Sequence, residues 1–184
     1  MKIILTYPTP LSNELKMIHQ LFADGLEILH VRKPTLTEQD YFAFIQQIDS
    51  KYHDRLVVCS FQDVGLKMGF QRFHFSRTDY LNRDSFEEFD NCPLSTSTHS
   101  IGEFNALNDR MDYAFLSPVF ESISKQGYRS ERNLLEEIKQ RTNFNTKLIA
   151  LGGITEGNRL IALENGFDGV AMMGDVWKDK NLTT

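Results

Sequence analysis

Three observations predict a single (β/α)₈ barrel with short helices, one domain over residues 1–184. Eight short β-rich apolar runs recur along the chain, segments of helical spacing separate nearly all of them, and each run leads into polar residues. Alternation of this kind builds a parallel sheet through right-handed crossovers, and eight repeats close it into a barrel. An open doubly wound sheet is the competitor, but it usually carries a glycine-rich phosphate turn after its first strand. Here the first run leads into YPTP. With 184 residues against the roughly 250 typical of such barrels, the helices have to be short.

The elements follow in order. KIILTY (2–7) reads as the first strand, and residues 13–24 as a helix whose Leu15, Ile18, Leu21 and Phe22 form one apolar face, stopped by Gly25. EILHVR (27–32) precedes a helical segment at 37–52. RLVVCS (55–60) and RFHFS (72–76) flank a short helical segment at 62–68, and residues 77–91 give no clear period. PLSTST (93–98) is followed by helical spacing at 101–108, and YAFLSPVF (113–120) by helical spacing at 133–141. KLIALGGI (147–154) leads to a helix at 156–165 that Gly166 ends, and GVAMMG (169–174) is the last strand.

A net charge of −5 and a pI near 5.5, with no basic stripe, argue against a nucleic-acid partner. The four-residue apolar run at the start is too short for a signal peptide or a membrane span, so a cytoplasmic protein is expected. Cys59 and Cys92 lack a CxxC pattern or a neighbouring histidine at ligand spacing and read as spectator thiols.

In a barrel of this kind chemistry gathers at the carboxyl ends of the strands. The residues there are Thr6, His30, Arg32, Cys59, Ser60, His74, Asp79, Ser97, His99, Ser122, Ser124, Lys125, Gly152, Gly153, Met173 and Gly174. Gly152, Gly153 and Gly174 follow strands seven and eight, the usual phosphate position, where bare amides can approach an anion. LSPVFESISK (116–125) places two hydroxyls and an ammonium after strand six. That stretch reads equally as part of an anion site or as a solvated loop. His74 reads as a packed or capping histidine.

STHS (97–100), DYAFLSPVFESISK (112–125), ALGGIT (150–155) and NGFDGVAMMG (165–174), in this order, resemble the thiamin phosphate synthase and TenI family; HVRK (30–33) and FHFSRTD (73–79) match it more loosely. The resemblance spans nearly the whole chain and implies the same barrel. It implies an enzyme of thiamin biosynthesis whose small-molecule substrates are a thiazole phosphate and a pyrimidine pyrophosphate, joined with the help of Mg²⁺, and it leaves self-association open. Ser122, Ser124 and Lys125 would hold pyrophosphate with Arg32 and Ser97, while Gly152, Gly153, Met173 and Gly174 would hold the thiazole phosphate. Asp79 would be the surviving metal ligand: Cys59 and Ser60 stand where the synthase branch has an Asn-Asp pair, and Pro34 replaces a lysine. Neither a thiol nor a neutral hydroxyl replaces a carboxylate on magnesium well. The implied alternatives are a TenI-type thiazole tautomerase that needs no metal and uses His99, and a non-catalytic relative that binds thiazole or thiamin phosphate. Another phosphate-handling barrel enzyme that shares only the phosphate cradle is a further alternative. Asp168 is read as structural, at the turn before strand eight.

Overall fold

The computed structural model describes residues 1–121 and 133–177. Its strands are β1 (Lys2–Leu5), β2 (Ile28–Val31), β3 (Leu56–Val58), β4 (Phe73–Phe75), β5 (Leu94–Thr98), β6 (Tyr113–Leu116), β7 (Lys147–Ala150) and β8 (Gly169–Met172). Every neighbouring pair is parallel, and β1 pairs with β8 to close the barrel in sequence order. All eight expected strands form, each shorter than its apolar run. The runs also contain the first residues of the loops, and those leave the ladder to build the mouth.

The helices are α1 (Glu14–Ala23), α2 (Glu38–Gln46), α3 (Gln62–Lys67), α4 (Arg77–Asn82), α5 (Ile101–Asn105), α6 (Leu134–Glu137), α7 (Arg159–Glu164) and α8 (Gly174–Trp177), with 3₁₀ turns at Ser50–Arg55, Glu87–Phe89 and Ile138–Gln140. Several starts are written locally. Thr37 accepts from the Asp40 amide, Ser76 forms a reciprocal capping box with Asp79, and Ser100 accepts from the Glu103 amide, each satisfying amides that a helix leaves unpaired. The ambiguous stretch 77–91 resolves into α4 and a 3₁₀ turn, and it seats Phe86 and Phe89 against Phe75.

The barrel interior is filled by Ile3, Leu5, Ile28, Val57, Tyr113, Phe115, Ile149 and Ala171, with Cys59, Leu151 and Met173 half-buried against them. Outside the barrel, the buried faces of the strands pack on the helices. Trp177 of α8 is fully buried and its indole N–H donates to the Leu5 carbonyl at 2.8 Å, pinning the last helix under β1. Two aspartates serve as matching strand clamps: Asp112, before β6, accepts from the Leu94 amide at 2.8 Å, and Asp168, before β8, accepts from the Leu148 amide at 2.7 Å. Asp168 also pairs with Arg141 at 2.8 Å, in keeping with a structural role. No helix among the described residues is long and apolar enough to cross a membrane.

Candidate active site

The β2 end supplies Arg32. Its backbone is fixed by Thr6, whose Oγ1 accepts from the Arg32 amide at 2.8 Å and lies 3.0 Å from the Arg32 carbonyl, while the guanidinium is exposed. Burial is the main cause of the lowered pKa of His74 and the raised pKa of Cys59, and the Arg32 cation adds to the first and opposes the second. Next to it, Lys33 is fully buried. Its ammonium donates to the Tyr7 carbonyl at 2.8 Å and pairs with Glu14 Oε2 at 2.5 Å, tying the loop after β1 to the start of α1. Desolvation lowers the Lys33 pKa, and Glu14 counters it. The sequence gives one cue to this pair, an acid on the first turn of α1 and a lysine just past β2, but nothing in one dimension says that both are buried.

After β3, Cys59 points inward rather than toward solvent. Its Sγ lies 3.6 Å from His30 Nδ1, and burial raises its pKa well above the ordinary thiol range. Tyr41 holds this turn, donating to the Val31 carbonyl at 2.7 Å and accepting from the Cys59 amide at 2.9 Å. Phe61 beyond it has a φ of 55°, an uncommon left-handed conformation for a large residue and one met at functional loops.

His30 and His74 are buried inside the barrel, with ring centroids 5.2 Å apart. His30 Nε2 is 2.6 Å from the Tyr113 hydroxyl; His74 Nδ1 is 2.9 Å from Ser95 Oγ and its Nε2 3.1 Å from Ser97 Oγ. Desolvation depresses both imidazoles, His74 to about 3, so both are neutral at physiological pH. His74 thus packs, as expected, and also bonds Ser97, a link that strand alternation alone does not reveal.

Asp79 is exposed and serves as the third residue of α4, where its Oδ2 accepts from the Ser76 amide at 3.3 Å and from Ser76 Oγ at 2.7 Å. Among the described residues, no three His, Cys, Asp or Glu side chains gather into a metal-binding group.

His99 is exposed just beyond β5. Its amide donates to Glu103 Oε2 at 2.9 Å, and Glu103 is itself held by Arg77 at 3.0 Å. His99 Nδ1 is 2.9 Å from the Ser117 carbonyl. A carbonyl only accepts, so Nδ1 carries the proton in the neutral ring and Nε2 holds the lone pair.

Gly152 and Gly153 have φ of 92° and 64°. A Cβ at Gly152 would sit 2.7 Å from Pro118 and one at Gly153 2.3 Å from the Glu121 carbonyl oxygen, so the loops after β6 and β7 touch backbone to backbone. The pair is therefore required by local packing whatever else it binds. Asn158 braces the turn, donating to the Gly153 carbonyl and accepting from the Thr155 amide, both at 2.8 Å. Met173 is half-buried against the barrel interior, and Gly174 opens α8. Ser122, Ser124 and Lys125 lie outside the described residues.

A closed parallel barrel with polar groups at the strand ends defines the general class, and comparison with known proteins supplies the family. The thiamine monophosphate synthase model, TMP-TENI, matches residues 3–176, and the chain belongs to that family. A thiamine phosphate pyrophosphorylase structure from Bacteroides thetaiotaomicron is 30% identical with a TM-score of 0.75, covering 97% of this chain and 85% of that one. A thiamine-phosphate synthase of Prochlorococcus marinus (strain AS9601) is 25% identical over 175 residues, which cover 92% of this chain and 49% of the relative. Another, from Lysinibacillus sphaericus (strain C3-41), is 26% identical over 140 residues, covering 74% and 65%. The chain thus spans about half of the first relative and just under two thirds of the second.

Proposed function

We propose that this protein binds a thiazole phosphate at the mouth of its barrel and moves a proton on the ring, with His99 Nε2 as the base. The observation that supports this most directly is the His99 Nδ1–Ser117 contact, which leaves Nε2 as an exposed lone pair on a ring whose orientation is fixed. The reaction is an isomerisation: His99 removes a proton from one ring carbon and returns it at another position of the conjugated system, so no bond to a second substrate is made. Arg32 would hold the anionic end of the substrate, joined by Lys125, Ser122 and Ser124. The amides of Gly152, Gly153 and Gly174 would take the phosphate.

The donor set favours this reading over one that depends on magnesium. Asp79 offers a single carboxylate, one oxygen of which is already committed to Ser76, and the position after β3 turns a thiol into the barrel. Mg²⁺ prefers near-octahedral oxygen ligation through carboxylates and phosphate oxygens, and these residues do not fit that need.

A second reading, coupling of the thiazole phosphate to a pyrimidine pyrophosphate, is favoured by the 30% identity to the Bacteroides pyrophosphorylase over nearly the whole chain. Replacement of His99 separates the two. On the first reading His99→Asn lowers the rate of ring isomerisation by about 10²-fold or more, the usual worth of a general acid-base group. An unchanged rate would remove His99 from the chemistry.

A further inference from the structure

We propose that Glu103 is a positioning residue for His99, clamping the backbone of the base from α5, and that Arg77 at the start of α4 anchors the clamp. The inference deepens the reading of His99 as the base and rests on that reading for the reaction concerned.

Ser100 and Glu103 form the S-x-x-E pattern of a capping box, in which the acid turns back to the amide of the capping residue itself. Ser100 does its part, its Oγ accepting from the Glu103 amide at 3.1 Å. Glu103 reaches one residue further, and its Oε2 accepts from the His99 amide at 2.9 Å. The other oxygen, Oε1, meets Arg77 at 3.0 Å. Arg77 is the first residue of α4, where the free amides of a helix start disfavour a cation, so the helix itself gives no reason for it there. The pair is also open to water, with side chains 46% and 32% exposed, and such pairs add little to stability. What it does is fix one carboxylate against one amide. Burial alone would raise the Glu103 pKa, but the His99 amide and Arg77 outweigh it and hold the carboxyl below its usual range, so it is ionised at neutral pH.

His99 is thereby gripped twice. Its ring is bound through Nδ1 to the Ser117 carbonyl at 2.9 Å, and the Ser117 amide donates to the Thr98 carbonyl at 3.1 Å, which ties the loop after β6 to the end of β5. Its backbone is held by Glu103, which links it to the start of α4 just past β4. The ends of three successive strands therefore fix where Nε2 points. A reacting group misplaced by about 1 Å can cost about 10²-fold in rate, so a clamp on the backbone of the base bears directly on turnover. A charged acceptor also bonds an amide more strongly than a neutral one. The same carboxylate opposes the positive charge that the ring gains when it takes up a proton.

Hydrogen exchange and kinetics on the intact protein test the clamp. The His99 amide should exchange about tenfold faster in Glu103→Ala than in wild type, and faster also in Arg77→Met, with the amides of β5 unchanged. Equal protection of that amide in wild type and Glu103→Ala overturns the proposal whatever the protein binds. On thiazole carboxylate phosphate, Glu103→Ala should lower kcat about tenfold and move KM less than about twofold, with part of the rate recovered in Glu103→Gln, which keeps an oxygen for the amide. Ser100→Ala removes the helix cap and leaves the clamp, so its kcat should stay within about twofold of wild type. A loss as large as that of Glu103→Ala would mean that Glu103 only caps α5, and would overturn the proposal. In the His99→Asn background, Glu103→Ala should cost nothing further, because it acts through the base. A further loss of about tenfold there, or a change confined to KM in the single variant, also overturns it. If wild type does not isomerise the substrate, the reading of His99 as the base fails, and the exchange rates still decide whether the clamp exists.

Discussion

Lys33 and Glu14 show how a single residue can matter in ways its neighbours in sequence do not announce. An ammonium and a carboxylate, both almost wholly buried, meet at 2.5 Å, and Glu14 Oε1 has no hydrogen-bond partner. Removing one partner strands the other charge, so Lys33→Met should cost about 3–5 kcal/mol in denaturant unfolding, and the double variant Lys33→Met/Glu14→Leu should recover much of it. A double variant no better than the single would show that the charges themselves hold the loop. His74 makes a second case. Its pKa of about 3 lies below the roughly 6.5 of the unfolded chain, so as pH falls the unfolded chain takes up the proton first. The stabilisation is complete above about pH 6.5 and is lost as pH falls toward 3, at about 1.4 kcal/mol per pH unit. Unfolding free energies measured at pH 7, 5.5 and 4.5 should decline less steeply in His74→Gln than in wild type; parallel declines would contradict a buried neutral ring. His74 lies in a run whose strand character and packing could be read in the sequence, but its bonds to Ser95 and Ser97 depend on register between strands.

At the scale of elements, apolar runs and turn glycines made the strands legible because period and punctuation are local properties. Their ends were not, since a run such as KLIALGGI passes without a break in composition from β7 into the loop that meets the β6 loop. Gly152 and Gly153 stood out in the sequence as phosphate-site glycines, and the structure adds a cause that composition hides: the space a Cβ would need is filled by backbone. Gly153→Ala should therefore destabilise by about 2 kcal/mol or more, combining left-handed strain with overlap on Glu121. Gly166→Ala carries comparable strain, but its nearest neighbour is Ile138 Cδ1 at 3.8 Å, so it should cost less. Equal losses in the two variants would mean that the loop after β6 yields freely. The stretch 77–91 was illegible because its order comes from the capping box at Ser76 and from Phe86 and Phe89 reaching the core, with too few turns of helix to give a period.

For the whole molecule, eight parallel strands in sequence order bring residues from positions 32 to 174 to one end of the barrel, and the family match over residues 3–176 agrees with that architecture. The proposed activity of this end is movement of a proton on a thiazole phosphate without magnesium. The most direct measurement gives the purified protein thiazole carboxylate phosphate, alone or with pyrimidine pyrophosphate, each with and without a strong chelator. The expected result is ring isomerisation that is indifferent to chelator, falls by about 10²-fold in His99→Asn, and is not accompanied by thiamin phosphate formation. Thiamin phosphate formation that stops when chelator is added, without isomerisation of the thiazole alone, would contradict it.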